Sequence, residues 1–169
     1  MYMLANFGNT NDYLPLFNSV LITDLLVLGL LRTNVIKSEV LNKWYSKYNL
    51  SAVMADVLII LIVLILARFV YSCIFDTYSL PKFIMVAVGL QVVHDLLFYA
   101  LFSNVPRGAN QMLDTFKDYA NEMSYKAVIA DSGMMIMACL IASYLVGRNI
   151  NTNIIVLVSF LYLLPYLLY

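Results

Sequence analysis

Residues 57–67 form an eleven-residue stretch without one polar side chain, bounded by Asp56 and Arg68 within a longer apolar run. A helix of about 20 such residues matches the roughly 30 Å hydrocarbon core of a bilayer. In lipid an isolated apolar segment has to be helical, because only a helix satisfies its own backbone groups. Five runs of this kind are visible, at residues 13–31, 52–75, 83–102, 127–146 and 154–169. The second is the strongest, and the last is the weakest because it contains Pro165. Alternation over about ten residues, the mark of a transmembrane barrel, is absent. The predicted architecture is an all-α polytopic bundle of five spans, one transmembrane domain over residues 1–169.

Composition removes the main competitors. The chain is 63% hydrophobic and 12% charged, whereas a soluble domain has about a quarter of its residues charged. Ten basic and ten acidic residues cancel, so no nucleic-acid footprint is present. Cys73 and Cys139 sit in apolar runs without CxxC spacing and read as small buried hydrophobes. The N-terminal stretch MYMLANFGNTNDY lacks the basic region and cleavage site of a signal peptide, so the first span is expected to be retained.

The basic residues set an expected orientation. Arg32, Lys37, Lys43, Lys47, Arg107, Lys117 and Lys126 fall in the loops after spans one and three, against Lys82 and Arg148 on the opposite side. The positive-inside rule then places those two loops in the cytoplasm, with the N-terminus outside and the C-terminus cytoplasmic. Both loops predict amphipathic interfacial helices. In the first, Ile36, Val40, Trp44 and Tyr48 recur every four residues, with Lys37, Lys43 and Lys47 on other faces. Trp44 and Tyr45 suit the headgroup layer. In the second, Leu113, Phe116, Ala120 and Met123 oppose Asp114, Asp118 and Glu122. That acidic face either meets a partner or lies solvated.

Four spans contain one aspartate each: Asp24, Asp56, Asp95 and Asp131. At 1.5 Å per residue all four lie roughly 6 to 12 Å below the same membrane surface. Neighbouring spans run antiparallel, so sequence order does not force this common depth. Gln91, His94 and Asp95 share one helical face at i, i+3 and i+4, and His94 is the only histidine. Asp24, Asp56, Gln91, His94, Asp95 and Asp131 are therefore a candidate polar cluster. They suit proton relay, or a divalent cation held by carboxylates and imidazole. Structural readings stand beside this one. Asp56 and Asp131 are near helix starts, where acidic residues cap amides, and Asp24 and Asp95 are able to tie helices together. Nothing else aligns between the spans, so the aspartates are not read as an internal repeat. Arg68, near the outer end of span two, is expected to snorkel outward, with Asp12 or Asp76 as acidic partners. Ala138 with Ala142, and Ser143 with Gly147, suit close helix packing.

No Gly-rich phosphate loop, HExxH or GxSxG is present, and residues 130–133, Ala-Asp-Ser-Gly, match aspartic protease triplets only superficially. No cofactor is expected. The segments HDLLFYALF, NQMLDTFKDYA and ADSGMM, within residues 94–135, resemble uncharacterised small multi-pass membrane proteins of the large nucleocytoplasmic DNA viruses of algae and protists. The resemblance covers roughly a quarter of the chain and includes no established enzyme signature. It implies residence in an internal virion membrane or in host membranes remodelled during assembly. The leading expectation is a non-enzymatic structural or assembly component. Its partners would be the bilayer, other membrane or capsid proteins met through the cytoplasmic loops, or further copies of itself. Proton or cation translocation and a membrane-embedded metal-dependent enzyme are the alternatives.

Overall fold

The computed structural model of the chain describes residues 4–169. Seven α-helices follow a short 3-10 turn at Thr10–Asp12: α1 Tyr13–Arg32, α2 Glu39–Tyr48, α3 Leu50–Ile74, α4 Leu80–Asn104, α5 Gln111–Met123, α6 Tyr125–Leu145 and α7 Ile150–Leu168. There is no strand among the described residues. Five of the helices (α1, α3, α4, α6 and α7) are long and apolar enough to cross a membrane. The protein is an all-α, multi-pass membrane bundle. The two short helices lie together at one end, here called the loop face.

Helix ends follow local chemistry more than the limits of the apolar runs. α7 starts four residues before its apolar run, because Asn149 caps it by accepting from the Thr152 N–H at 2.8 Å. Asn153 is thereby buried inside the helix, and the Asn18 side chain donates to its carbonyl at 2.8 Å. Pro165 does not break α7, since it falls in the last turn. The carbonyls freed there are met from α1: Arg32 donates through Nε to Leu167 at 2.9 Å and through Nη2 to Leu168 at 2.8 Å. This is cationic capping of a helix C-terminus.

In sequence nothing but the aspartates aligns between the spans, whereas in the structure they fall at equivalent positions of a shared plan. Helices α1–α3 and α4–α6 repeat one plan: a span, a short amphipathic helix, a joint of one residue, and a second span. The joints are Asn49 (φ 46°) and Ser124 (φ 49°). Asp56 lies seven residues beyond the first and Asp131 seven beyond the second. The buried rhythm also repeats, with Ile60, Val63, Leu64, Ala67 and Tyr71 answered by Met135, Ala138, Cys139, Ala142 and Val146. On the leading spans Leu16, Val20 and Leu31 are answered by Ala87, Gln91 and Phe102 at the same spacing, which also aligns Asp24 with Asp95. Packing obeys the same exchange: α1 lies on α6 as α4 lies on α3, and α2 meets α5. That pattern is a pseudo-twofold along the membrane normal, a known plan for parallel repeats in membrane proteins. Side-chain identities barely repeat, which is why sequence alone hides it. α7 packs on α1 and has no counterpart.

Candidate functional site

The repeat explains why four aspartates reach one depth, and α2 determines how two of them meet. This helix is capped by Ser38, whose hydroxyl oxygen accepts from the Leu41 N–H at 3.1 Å. Glu122 of α5 latches the same end, accepting from the Ser38 hydroxyl at 2.6 Å and the Val40 N–H at 3.1 Å. A cleft of about 500 Å³, lined by Asn34, Lys37, Ser38, Glu39, Asn42 and Glu122, opens beside this latch. At the other end the Tyr48 hydroxyl donates to the Gln111 carbonyl at 2.7 Å, and the Trp44 ring packs on Phe116 at 4.7 Å.

So held, α2 turns Trp44 and Tyr45 inward. They are 4% and 2% exposed, not anchored in the headgroups as their residue types predict. The Tyr45 hydroxyl lies 2.8 Å from Asp24 Oδ1 and 3.1 Å from Asp56 Oδ2. Trp44 Nε1 donates to the same Asp56 oxygen at 2.9 Å. Asp24 is fully buried, and its Oδ2 has no hydrogen-bond partner. The capping reading of Asp56 and Asp131 is excluded, because Asn49 and Ser124 occupy the cap positions.

The second repeat supplies the rest. Gln91 Nε2 donates to Asp95 Oδ1 at 2.8 Å, and His94 Nδ1 lies 3.2 Å from that oxygen. The His94 ring stacks on Phe98 with centroids 5.8 Å apart and remains 28% exposed at its side chain. Gln91 Oε1 and Asp95 Oδ2 are buried without partners. Asp131 lies within electrostatic reach of Asp95 and Asp56. Tyr119, which occupies the repeat position of Trp44, is within reach of Asp131, Asp56, Glu122 and Asp95. The structure thus joins Asp24 and Asp56 through Tyr45 and Trp44, sets Asp95 against Gln91 and His94, and leaves Asp131 and Tyr119 within electrostatic reach of Asp56 and Asp95. Burial first, and the neighbouring carboxylates second, push both phenols well above their usual range, so Tyr45 and Tyr119 keep their O–H at physiological pH.

No Lys or Arg neutralises the cluster. The ion pairs among the described residues are Arg68–Asp12, His94–Asp95, Arg107–Asp118 and Lys117–Asp114. Nor do three His, Cys, Asp or Glu side chains come close enough to hold a metal among those residues.

The remaining candidates lie apart. Arg68 does not snorkel: it is fully buried, pairs with Asp12 at 2.8 Å, and donates to the carbonyls of Asn6 and Asn9. The chain before α1 folds over it, with Leu4 and Ala5 buried. The acidic face of α5 is engaged within the chain. Glu122 latches α2, Asp118 accepts from Arg107 at 2.9 Å, and Asp114 accepts from the Gly108 N–H at 2.9 Å.

The signal for Trp44 and Tyr45 was present but ambiguous. An aromatic pair opposite lysines fits a headgroup anchor as well as a lid over carboxylates, and only the Asn49 joint decides between them. Compared with protein-family models, curated proteins and solved structures, the chain finds no match.

Proposed function

We propose that this membrane protein binds a proton or small cation at the Asp24–Tyr45–Asp56 junction and moves it between the loop face and the bundle interior as a step of translocation. The observation that carries the reading is the Tyr45 hydroxyl shared by two buried carboxylates, Asp24 and Asp56, neither of which is paired with a Lys or Arg among the described residues. Ionised carboxylates share a low-dielectric interior only at a cost of several kcal/mol each, so mobile positive charge has to complete the site. Asp24 Oδ2, Gln91 Oε1 and Asp95 Oδ2 are buried without donors. His94, partly exposed beside Asp95, is the natural exchange group because an imidazole is able both to accept and to donate a proton.

The orientation proposed with it puts the loop face in the cytoplasm, supported by seven basic residues there against two opposite. Residence in a viral or virus-remodelled membrane is supported by the resemblance of residues 94–135 alone. A scaffold role on the Asp114–Asp118–Glu122 face gains no support, since those carboxylates already have partners within the chain. A metal-dependent enzyme gains no support, since among the described residues no three His, Cys, Asp or Glu side chains come together.

The test is proton and alkali-cation flux in proteoliposomes, for wild type, Asp24→Asn and Asp95→Asn. Flux in wild type that is lost in either folded variant supports translocation through the cluster. Flux unchanged in both variants would remove the carboxylates from any pathway.

A further inference from the structure

The groups facing the carboxylates specify which cation the site accepts, an inference that rests on the cation-binding reading above. Metal cations of the sodium, magnesium or calcium type need oxygen lone pairs turned toward them from several sides. The Asp24–Asp56 junction offers the reverse. The Trp44 indole N–H, a donor with no acceptor capacity, is aimed at Asp56 Oδ2, and the Tyr45 hydroxyl lies within hydrogen-bond distance of the same oxygen. Donors so placed occupy the lone pairs a metal would use.

A proton completes the same arrangement. Tyr45 has one hydroxyl hydrogen but stands within hydrogen-bond distance of two carboxylate oxygens, at 2.8 and 3.1 Å. Both contacts are hydrogen bonds only if one more hydrogen is present. Trp44 decides where it sits. Asp56 Oδ2 already accepts from the indole, so it forms the accepting end. The added proton resides on Asp24, which donates to the Tyr45 oxygen while Tyr45 donates to Asp56. Asp24 is fully buried with its second oxygen unpartnered, so a proton there removes an uncompensated charge from the interior of the bundle.

We infer that the pocket selects the proton over metal cations, with Asp24 as its carrier and Tyr45 and Trp44 as the selectivity-determining residues. The other titratable groups around it are Asp95 and His94 on α4, Tyr119 and Glu122 on α5, and Asp131 on α6. α7 contributes no charged side chain. These groups modulate the proton's occupancy, and among the described residues no three His, Cys, Asp or Glu side chains come together to hold a metal.

The experiment is proton uptake and release by the purified full chain in nanodiscs, followed with a pH indicator in weak buffer. Sodium, potassium, magnesium or calcium chloride is then added at constant ionic strength. Wild type is expected to take up a proton that Asp24→Asn does not, and to release none on addition of any of the four salts. Trp44→Phe/Tyr45→Phe keeps an aromatic ring at each position and removes both donors, and is expected to release protons when metal is added. Stoichiometric release from wild type would overturn the selectivity, and a folded, metal-blind double variant would take it away from Trp44 and Tyr45. Equal proton uptake by wild type and by a variant with all four aspartates changed to Asn would instead overturn the binding reading itself.

Discussion

Helices α1–α3 and α4–α6 follow the same plan, yet one half is closed and the other open. α1 is covered by α3, α6 and α7 together, and its Asp24 is fully buried under the Tyr45 hydroxyl. α4 has no equivalent of α7 on its outer side, and its Asp95 sits beside a partly exposed histidine. Nineteen residues past the joint, the first half places Arg68, locked to Asp12, and the second half places Ser143, bonded only to its own helix at the Leu140 carbonyl. One added helix and a few changed side chains leave one half buried around its aspartate and the other half partly open.

The contrast breaks most severely at the outer lock. Arg68→Met would strand Asp12 as a buried, unpaired charge, a loss of about 3–5 kcal/mol. Ser143→Ala should stay within about 0.5 kcal/mol. Reversible denaturation in mixed micelles compares the two, and equal effects would mean that the halves are not differently locked.

Next comes the loop-face phenol of each half. Tyr45→Phe removes the group shared by Asp24 and Asp56 and should cost about 1–3 kcal/mol. Tyr119→Phe, at a residue that feels the carboxylates without a recorded hydrogen bond, should cost about 0.5 kcal/mol or less. The same denaturation assay reads the difference, which vanishes if α2 is an interfacial float.

The joints sharpen the comparison from the other side. Positive φ at a non-glycine residue costs about 1 kcal/mol or more, and Asn tolerates it better than Ser. Ser124→Gly should therefore stabilise the protein by about 1 kcal/mol and Asn49→Gly by less. A destabilising Ser124→Gly would argue that this joint bears a contact the geometry does not reveal.

The smallest effect is alkaline. Tyr45 and Tyr119 have folded-state pKa values raised above the ordinary phenol value near 10. Folding favours the protonated phenol, so this contribution is complete below about pH 10 and fades as pH climbs through the raised values. Ultraviolet titration should show tyrosinate from these two only with the onset of unfolding. Their early ionisation would mean that α2 and α5 lift from the spans.

The spans were legible because a bilayer leaves a long apolar run one choice, so residues 57–67 alone announce a helix. The common depth of the aspartates was legible for the same reason, since depth follows from rise per residue. The partners of those aspartates were not. Trp44 and Tyr45 are the residue types of both a headgroup anchor and a buried donor, and the backbone reversal at Asn49 chooses between them. Arg68 defeated the snorkelling expectation because the chain before α1, polar around Asn6 and Asn9, folds back to supply carbonyls. The repeat stayed hidden because a membrane core constrains size and polarity rather than identity, so Leu64 and Cys139 occupy equivalent buried positions without resembling one another.

The central claim is a proton held on Asp24 and shared through Tyr45 with Asp56. Infrared difference spectroscopy in lipid, between acidic and alkaline buffer, reads the carbonyl stretch of a protonated carboxyl group directly. The account predicts a protonated-carboxyl band in wild type that disappears in Asp24→Asn and shifts in Tyr45→Phe, where its hydrogen-bond partner is gone. A spectrum without that band, or with one indifferent to both substitutions, would contradict it.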